Sequence, residues 1–454
     1  MDKNNPIKHV KYKKCYKNDT LYWGLGIENE MYLEFEKTKQ VNKMYLCTNR
    51  KRERYSVDYF SNYKNDTALK QYVETISDVI QIPILLNSHS FMNTDKMNNS
   101  KRMYTKLNEP NPKFCGETLI ESLIKDNDYF RTNLTWLFDG DTIEFTTLDF
   151  FNVTLEDVLK ELENIKVEFI ENINTSFTKL GIFKEYGSIK IMETNYPFAT
   201  YLTNLNNVGM FNNGTLHYNI TLPTKLDSNG FIENKELFVY THSKAIKMIQ
   251  WIEPLLIGMF GSPDPLPGYS KSSQRCAVSR YIGIGTYDNT TMVPGKILTK
   301  PINELPYNGS DWWYNKINMY TRLDELGMDI NFNKHYNHGI ELRFLDYTSN
   351  IAESFMFIIF CMDYSLKASE IENPIINKTW NDFVANMLIH GKKYILTKDE
   401  KRMYKKLFSI TIKKETLEDV YHEIYSKIKK IGPFSKLTLS QKKNKWLKYL
   451  QCYS

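Results

Sequence analysis

Four segments of the chain, 22–35, 133–148, 215–222 and 339–346, show strand-like alternation of apolar and polar residues. Residues 22–35 (YWGLGIENEMYLEF) set Trp23, Leu25, Ile27, Met31, Leu33 and Phe35 on one side, interrupted only by Asn29. Gly24, Gly26, Glu28, Glu30, Tyr32 and Glu34 lie on the other. Residues 133–148 read as a hairpin turning at Asp139-Gly140-Asp141, and its second arm opposes Thr142, Glu144 and Thr146 to Ile143 and Phe145. Residues 215–222 alternate Thr215, His217, Asn219 and Thr221 with Leu216, Tyr218, Ile220 and Leu222. Residues 339–346 oppose Gly339, Glu341 and Arg343 to Ile340, Leu342 and Phe344. Each pattern predicts a strand with one face against a core.

Helical spacing of apolar residues replaces this alternation over 154–177, 233–260 and 351–366, and in shorter segments from about 378 onward. The helices come in blocks and do not take turns with the strands, so the expected class is α+β with an antiparallel or mixed sheet. No repeat or low-complexity linker divides the chain. The expected organisation is one main domain over 1–374, with a helical C-terminal extension over 375–454 packed on it.

Composition narrows the class. Apolar residues make up 42% and charged residues 25%, the balance of a globular protein. The net charge of +6 comes largely from lysines near the two ends and has no recognition motif beside it, so no nucleic-acid partner is expected. Six cysteines without a CxxC pair argue against zinc or a disulfide framework and for a reducing compartment. The first residues, MDKNNPIKHVKYKK, contain no apolar segment, and FMFIIFCM and WIEPLLIGMF are too short to span a bilayer. A cytoplasmic protein with no membrane partner is the expectation.

The polar faces carry the chemistry. Side by side in one sheet, they would hold Glu28, Glu30, Glu144, Glu341, His217, Asn219 and Arg343: four carboxylates, one guanidinium and one imidazole. Burying such an excess of negative charge costs several kcal/mol per ion, so either water or bound cations must relieve it. A solvent-facing sheet surface is the plain alternative for any single strand. Four strands repeating Glu-x-Glu, His-x-Asn and Glu-x-Arg weigh toward a site. Oxygen ligands with one imidazole suit Mg²⁺ or Mn²⁺, and Mg²⁺ leaves positions for phosphate oxygens. A nucleotide held by two or more metals, with Arg343 neutralising transferred charge, predicts phosphoryl transfer.

These residues resemble the glutamate–cysteine ligases of the glutamine synthetase-like carboxylate–amine ligase superfamily. GLGIENE is similar to the family's first strand, DTIEFTT to its second metal strand, GTLHYNITLP to its His-Tyr-Asn strand and GIELRFLD to its Glu-x-Arg strand. WIEPLLIGMFGSPDP is similar to the helix and turn that follow the histidine strand. The resemblance covers roughly residues 20 to 350, and the order of the motifs carries it. It implies a funnel of curved, largely antiparallel strands with helices on the outer face. It implies metal ligands at Glu28, Glu30, Glu144, His217 and Glu341, catalytic roles for Arg343 and Glu28, and Asn219 on the same wall. It implies ATP as cosubstrate, Mg²⁺ or Mn²⁺, glutamate as acid and cysteine or another amine as acceptor, a step of glutathione biosynthesis. A guanidino-type phosphotransferase and a non-catalytic derivative on the same scaffold are the rival classes.

The chain departs from the family where an acid often precedes the second-strand glutamate by seven residues. Leu137 stands there, and Asp139 is the candidate substitute after a shift, though Asp-Gly also makes a turn. SQRCAVSRYIGIGTYD loosely resembles a substrate-contacting segment, which makes Arg280 and Arg275 candidates for an anionic group. GLGIEN and GIGTYD lack a full dinucleotide fingerprint, and no GxxxxGK[ST] occurs. Cys276 has no histidine partner in sequence, and His242, His335, His338, His390 and His422 read as structural.

Overall fold

The computed structural model describes residues 21–42, 77–86, 119–139, 142–147, 155–192, 215–225, 233–261, 330–332, 339–346, 348–368, 370–372, 379, 383, 386, 387 and 390–431. The described strands are β1 (Leu21–Asn42), β2 (Val79–Leu86), β3 (Trp136–Asp139), β4 (Thr142–Thr146), β5 (Ile189–Met192), β6 (Thr215–Lys225), β7 (Ile330–Phe332) and β8 (Ile340–Asp346). They form a curled antiparallel half-barrel in the order β3-β4-β1-β6-β8-β7, with β2 and β5 also paired to β1. The α+β class and the largely antiparallel curved sheet expected from the sequence are what the chain adopts.

The strand foreseen over 22–35 is the first part of a longer one. β1 runs on to Asn42, and its far half pairs with β5 through Tyr32–Phe35 and with β2 through Leu33–Asn42. Neither partner has a readable period. β5 is only four residues, IKIM, and β2 is a mostly apolar run interrupted by Gln81 and Pro83 with no alternation. Proline is tolerated because β2 pairs with β1 alone among the described strands.

Helices cover one face of the sheet: α1 (Leu119–Asp126), α2 (Asp128–Thr132), α3 (Leu155–Lys179), α4 (Ile182–Tyr186), α5 (Lys235–Phe260), α6 (Ile351–Lys367), α7 (Lys398–Phe408) and α8 (Leu417–Ile431). The heptad-like spacing of α3 drives Val158, Leu162, Ile165, Phe169, Ile173 and Phe177 inward. Phe169 meets Phe145 of β4 with ring centroids 5.3 Å apart. α5 lies against β6 and β8, α6 against α5, and α8 against both. Each large apolar side chain buried there contributes roughly 1.5–3 kcal/mol.

The same packing aims the polar faces. Tyr218 lies between His217 and Asn219 on β6 and turns the other way, stacking on Phe355 of α6 at 4.3 Å. Its hydroxyl meets Ser354 Oγ at 2.7 Å. Gly339 immediately precedes β8 at φ 74°, and a Cβ there would lie 2.2 Å from the Ile220 carbonyl oxygen. Only glycine allows β8 to come this close to β6, and Glu341 follows two residues on. Among the described residues no helix is long and apolar enough to cross a membrane.

Candidate metal centre

Register decides which predicted residues meet. β1 and β6 pair Glu28 with His217, Glu30 with Thr215 and Gly26 with Asn219. β1 and β4 pair Glu30 with Glu144, and β6 and β8 pair Asn219 with Glu341. Directly opposite residues of antiparallel strands project to one face, so Glu28, Glu30, Glu144, His217, Asn219 and Glu341 share the face away from the helices.

His217 is the hub. Its Nδ1 lies 3.0 Å from Glu28 Oε2 and 3.7 Å from Glu341 Oε1, and its Nε2 lies 3.5 Å from Glu30 Oε1. Glu28, His217 and Glu341 are all buried, at 5%, 1% and 1% exposure, so water does not screen them. One ligand atom from each of the three falls within 4.8 Å of the others, and the set can hold a metal ion. Octahedral ligands at about 2.1 Å lie about 3 to 4.2 Å apart, so small side-chain adjustments suffice for Mg²⁺ or Mn²⁺. Two carboxylates in the set weight it toward these ions over softer metals.

Around this hub the other predicted residues differ in what they touch. Glu144 is half-buried, and Thr146 Oγ1 donates to its Oε1 at 3.3 Å. Asn219 is 1% exposed, and neither its Nδ2 nor its Oδ1 has a hydrogen-bond partner among the described residues. An orphaned buried amide costs about 1–3 kcal/mol and points to a group that arrives from outside. Leu137 pairs with Glu144 and is exposed, so an apolar side chain stands beside the glutamate. The backbone of Asp139 pairs with Thr142, one step farther from the hub, and its side chain lies outside the described residues.

Arg343 has an informative backbone. Tyr218 pairs with Leu342 but Leu216 pairs with Leu345, so the ladder gains a residue and Arg343 and Phe344 together lie across from His217. Such a bulge re-aims side chains and is common beside active sites. The Arg343 side chain lies outside the described residues, as do Arg275 and Arg280, Cys276, His335 and His338.

Three polar residues that the sequence analysis did not assign to the site support it. Asn29, on the apolar face of β1 and fully buried, donates from Nδ2 to the Thr215 carbonyl at 2.9 Å. Lys166 of α3 donates from Nζ to Asn29 Oδ1. Thr215, also fully buried, donates from Oγ1 to Glu30 Oε2 at 2.7 Å. The interruption of an otherwise apolar face at Asn29 was the available signal; Lys166, in a distant helix, left none.

His242 is built differently. It sits in α5 with its Nδ1–H donating to Phe238 O at 2.7 Å, while Nε2 accepts from Leu222 N–H at 3.1 Å. Leu222 stands where the β1–β6 register slips, and the imidazole takes the amide that the ladder leaves over. Burial lowers the His242 pKa to about 3, with the hydrogen bond to Phe238 opposing it. This is the structural histidine the sequence pattern anticipated.

No protein-family model matches the chain. It is 38% identical over 405 residues, 86% of its length, to the uncharacterized protein R704 of Acanthamoeba polyphaga mimivirus, of which it covers 71%. Among solved structures it is similar to a bifunctional glutathione synthetase from Pasteurella multocida, with 12% identity and a TM-score of 0.37. That likeness covers 99% of this chain and 52% of the other, so the chain spans about half its length. It is also similar to the glutamate–cysteine ligase of Francisella tularensis solved in complex with AMP, with 11% identity, a TM-score of 0.36 and coverage of 97% and 89%. TM-scores of this size leave the functional reading to the site itself.

Proposed function

We propose, for a chain that belongs to the same family as the mimivirus protein R704, the function of an ATP- and Mg²⁺-dependent ligase. It joins the γ-carboxylate of glutamate to the amine of cysteine or a similar amine. The observation that carries this reading is the convergence of Glu28, His217 and Glu341, from three different strands, on one buried point.

In this reading Glu28, His217 and Glu341 hold one divalent cation. Glu30 and Glu144, placed directly opposite each other, hold a second. Like charges facing across a ladder repel, and a shared cation offsets that cost. The cations supply charge neutralisation for the phosphate oxygens of ATP. Arg343 completes that neutralisation from the bulge beside His217, and Asn219 offers its unpaired amide to the bound substrate. Arg275 and Arg280 are assigned to anionic groups of the substrates.

A γ-carboxylate oxygen of glutamate attacks the terminal phosphorus of ATP, and the bond to ADP breaks. The amine nitrogen then attacks the acyl carbon, inorganic phosphate leaves, and the nitrogen gives up its proton. Rate comes from positioning and electrostatics, because the protein contributes no covalent intermediate. Residues 1–374 carry this chemistry and the helices of 375–454 brace it, as α8 does on α5 and α6.

The test is release of ADP and phosphate by the purified protein with Mg²⁺, ATP, glutamate and a panel of amines. Phosphate and ADP in equal amounts with glutamate plus one amine is the expected result. ADP with a phosphorylated acceptor and no free phosphate would replace ligation with a phosphotransferase. No nucleotide turnover with any acid and amine would leave a binding protein.

A further inference from the structure

We propose that Thr215 is a positioning residue of the cation site, and that Asn29 and Lys166 hold it from the helix side of the sheet. The inference rests on the cation reading of Glu28, His217 and Glu341 and adds what keeps those groups in place.

Thr215 begins β6 and pairs with Glu30 of β1 on one side and with Asp346 of β8 on the other. Its hydroxyl reaches the hub: Oγ1 gives its proton to Glu30 Oε2 at 2.7 Å and lies 3.4 Å from His217 Nε2. A hydroxyl has one proton. With that proton committed to the glutamate, the oxygen can only accept from the histidine, which puts hydrogen on Nε2; the shorter approach of Nδ1 to Glu28 Oε2, at 3.0 Å, is then the gap that a shared cation would fill. Glu30 Oε1, 3.5 Å from the same nitrogen, is a second acceptor and favours the same tautomer. The lone pair is then on Nδ1, the nitrogen that faces Glu28 and Glu341. One buried hydroxyl therefore fixes the Glu30 rotamer and directs the His217 lone pair toward the cation.

Holding that hydroxyl still requires holding the residue. A β-branched side chain has a stiff χ1, so its oxygen is as steady as its backbone. The Thr215 carbonyl is fixed by Asn29 Nδ2 at 2.9 Å, and the Asn29 amide is oriented in turn by Lys166 of α3. Asn29 sits in the chain between Glu28 and Glu30, so the same clamp ties down the peptides on either side of it. A polar side chain on the core face is costly unless hydrogen-bonded. Here the bonds run from the helix layer, through the sheet, to a carboxylate on the far side.

The experiment is titration of the full chain with Mn²⁺ alone, following free Mn²⁺ by electron paramagnetic resonance. It is run on the wild type, Thr215→Val, Thr215→Ser and Glu341→Gln, with the metal-free melting temperature of each. Thr215→Val keeps shape and removes the donor; we expect a ten- to hundredfold weaker Mn²⁺ affinity with a metal-free melting temperature close to wild type. Thr215→Ser is expected to restore the affinity. If Thr215→Val binds Mn²⁺ like the wild type while Glu341→Gln does not, Thr215 has no positioning role and the cation site stands. If Thr215→Val lowers the metal-free melting temperature and Thr215→Ser fails to restore affinity, Thr215 is merely structural. If the wild type does not bind Mn²⁺, or Glu341→Gln binds as well as wild type, the cation site itself falls and takes this role with it.

Discussion

Two buried histidines meet β6, one as part of the strand and one from the helix packed on it, and they differ in what their ring nitrogens touch. His217 projects from the sheet, and both of its ring nitrogens face carboxylates at 3.0 to 3.7 Å. His242 projects from α5 toward the end of the same strand, and both of its nitrogens are bonded to backbone groups. The first stands among carboxylates with which it can share a cation; the second has one nitrogen committed to a backbone acceptor and the other to a backbone donor. Residue type and burial do not separate a ligand from a scaffold element, whereas the identity of the hydrogen-bond partners does.

The largest effect is expected at the first of the two. His217→Asn keeps a polar group but removes the imidazole from between Glu28, Glu30 and Glu341. Nucleotide turnover should fall at least about a hundredfold, since losses of that size follow even from disturbing groups outside the ligand set. The metal-free melting temperature should move little. A steady-state assay beside thermal melting checks both, and full activity in the variant would put His217 in the same class as His242.

The second effect is one of stability and has the opposite signature. The His242 pKa is near 3 when folded and near 6.5 when unfolded, so between these values the unfolded chain binds a proton that the folded chain does not. That contribution is fully present above about pH 6.5 and is lost as pH falls toward 3. Between pH 7 and pH 4.5 it amounts to roughly 2–3 kcal/mol. Urea unfolding at the two pH values should therefore show a shallower acid loss for His242→Gln than for wild type, with turnover at neutral pH retained. Equal slopes would mean that His242 gains a proton without strain.

A smaller effect sharpens the contrast at a third buried polar group. Asn219 has neither a carboxylate nor a backbone partner among the described residues. Asn219→Leu should leave stability unchanged or raise it by about 1 kcal/mol, because it removes an orphaned amide. It should also raise the KM of one substrate about tenfold. A clear loss of stability in this variant would show that the amide is bonded within the protein.

How much of this could be read beforehand depends on the length of the pattern. The faces of β1, β4, β6 and β8 were legible, because alternation over five or more residues leaves few other ways to bury the apolar side. The register that puts Glu28 against His217 and Glu30 against Glu144 was not, because pairing depends on turns and bulges far from the paired residues. β2 and β5 escaped because one is a mostly apolar run without alternation and the other has four residues. The bulge at Arg343 has no sequence mark. Asn29 stood out as an irregularity, but its meaning depends on Lys166, 137 positions away in the chain. Leu137 was visible as a departure, and pairing opposite Glu144 now places it beside the site.

The claim on which the rest stands is that Glu28, His217 and Glu341 share one divalent cation. Crystals soaked in Mn²⁺ and measured at a wavelength where manganese scatters anomalously test it most directly. The account predicts an anomalous peak bonded to all three side chains, at about 2.1 to 2.3 Å from each. A well-ordered site with no anomalous peak among them, or a peak bound only elsewhere in the protein, would contradict it.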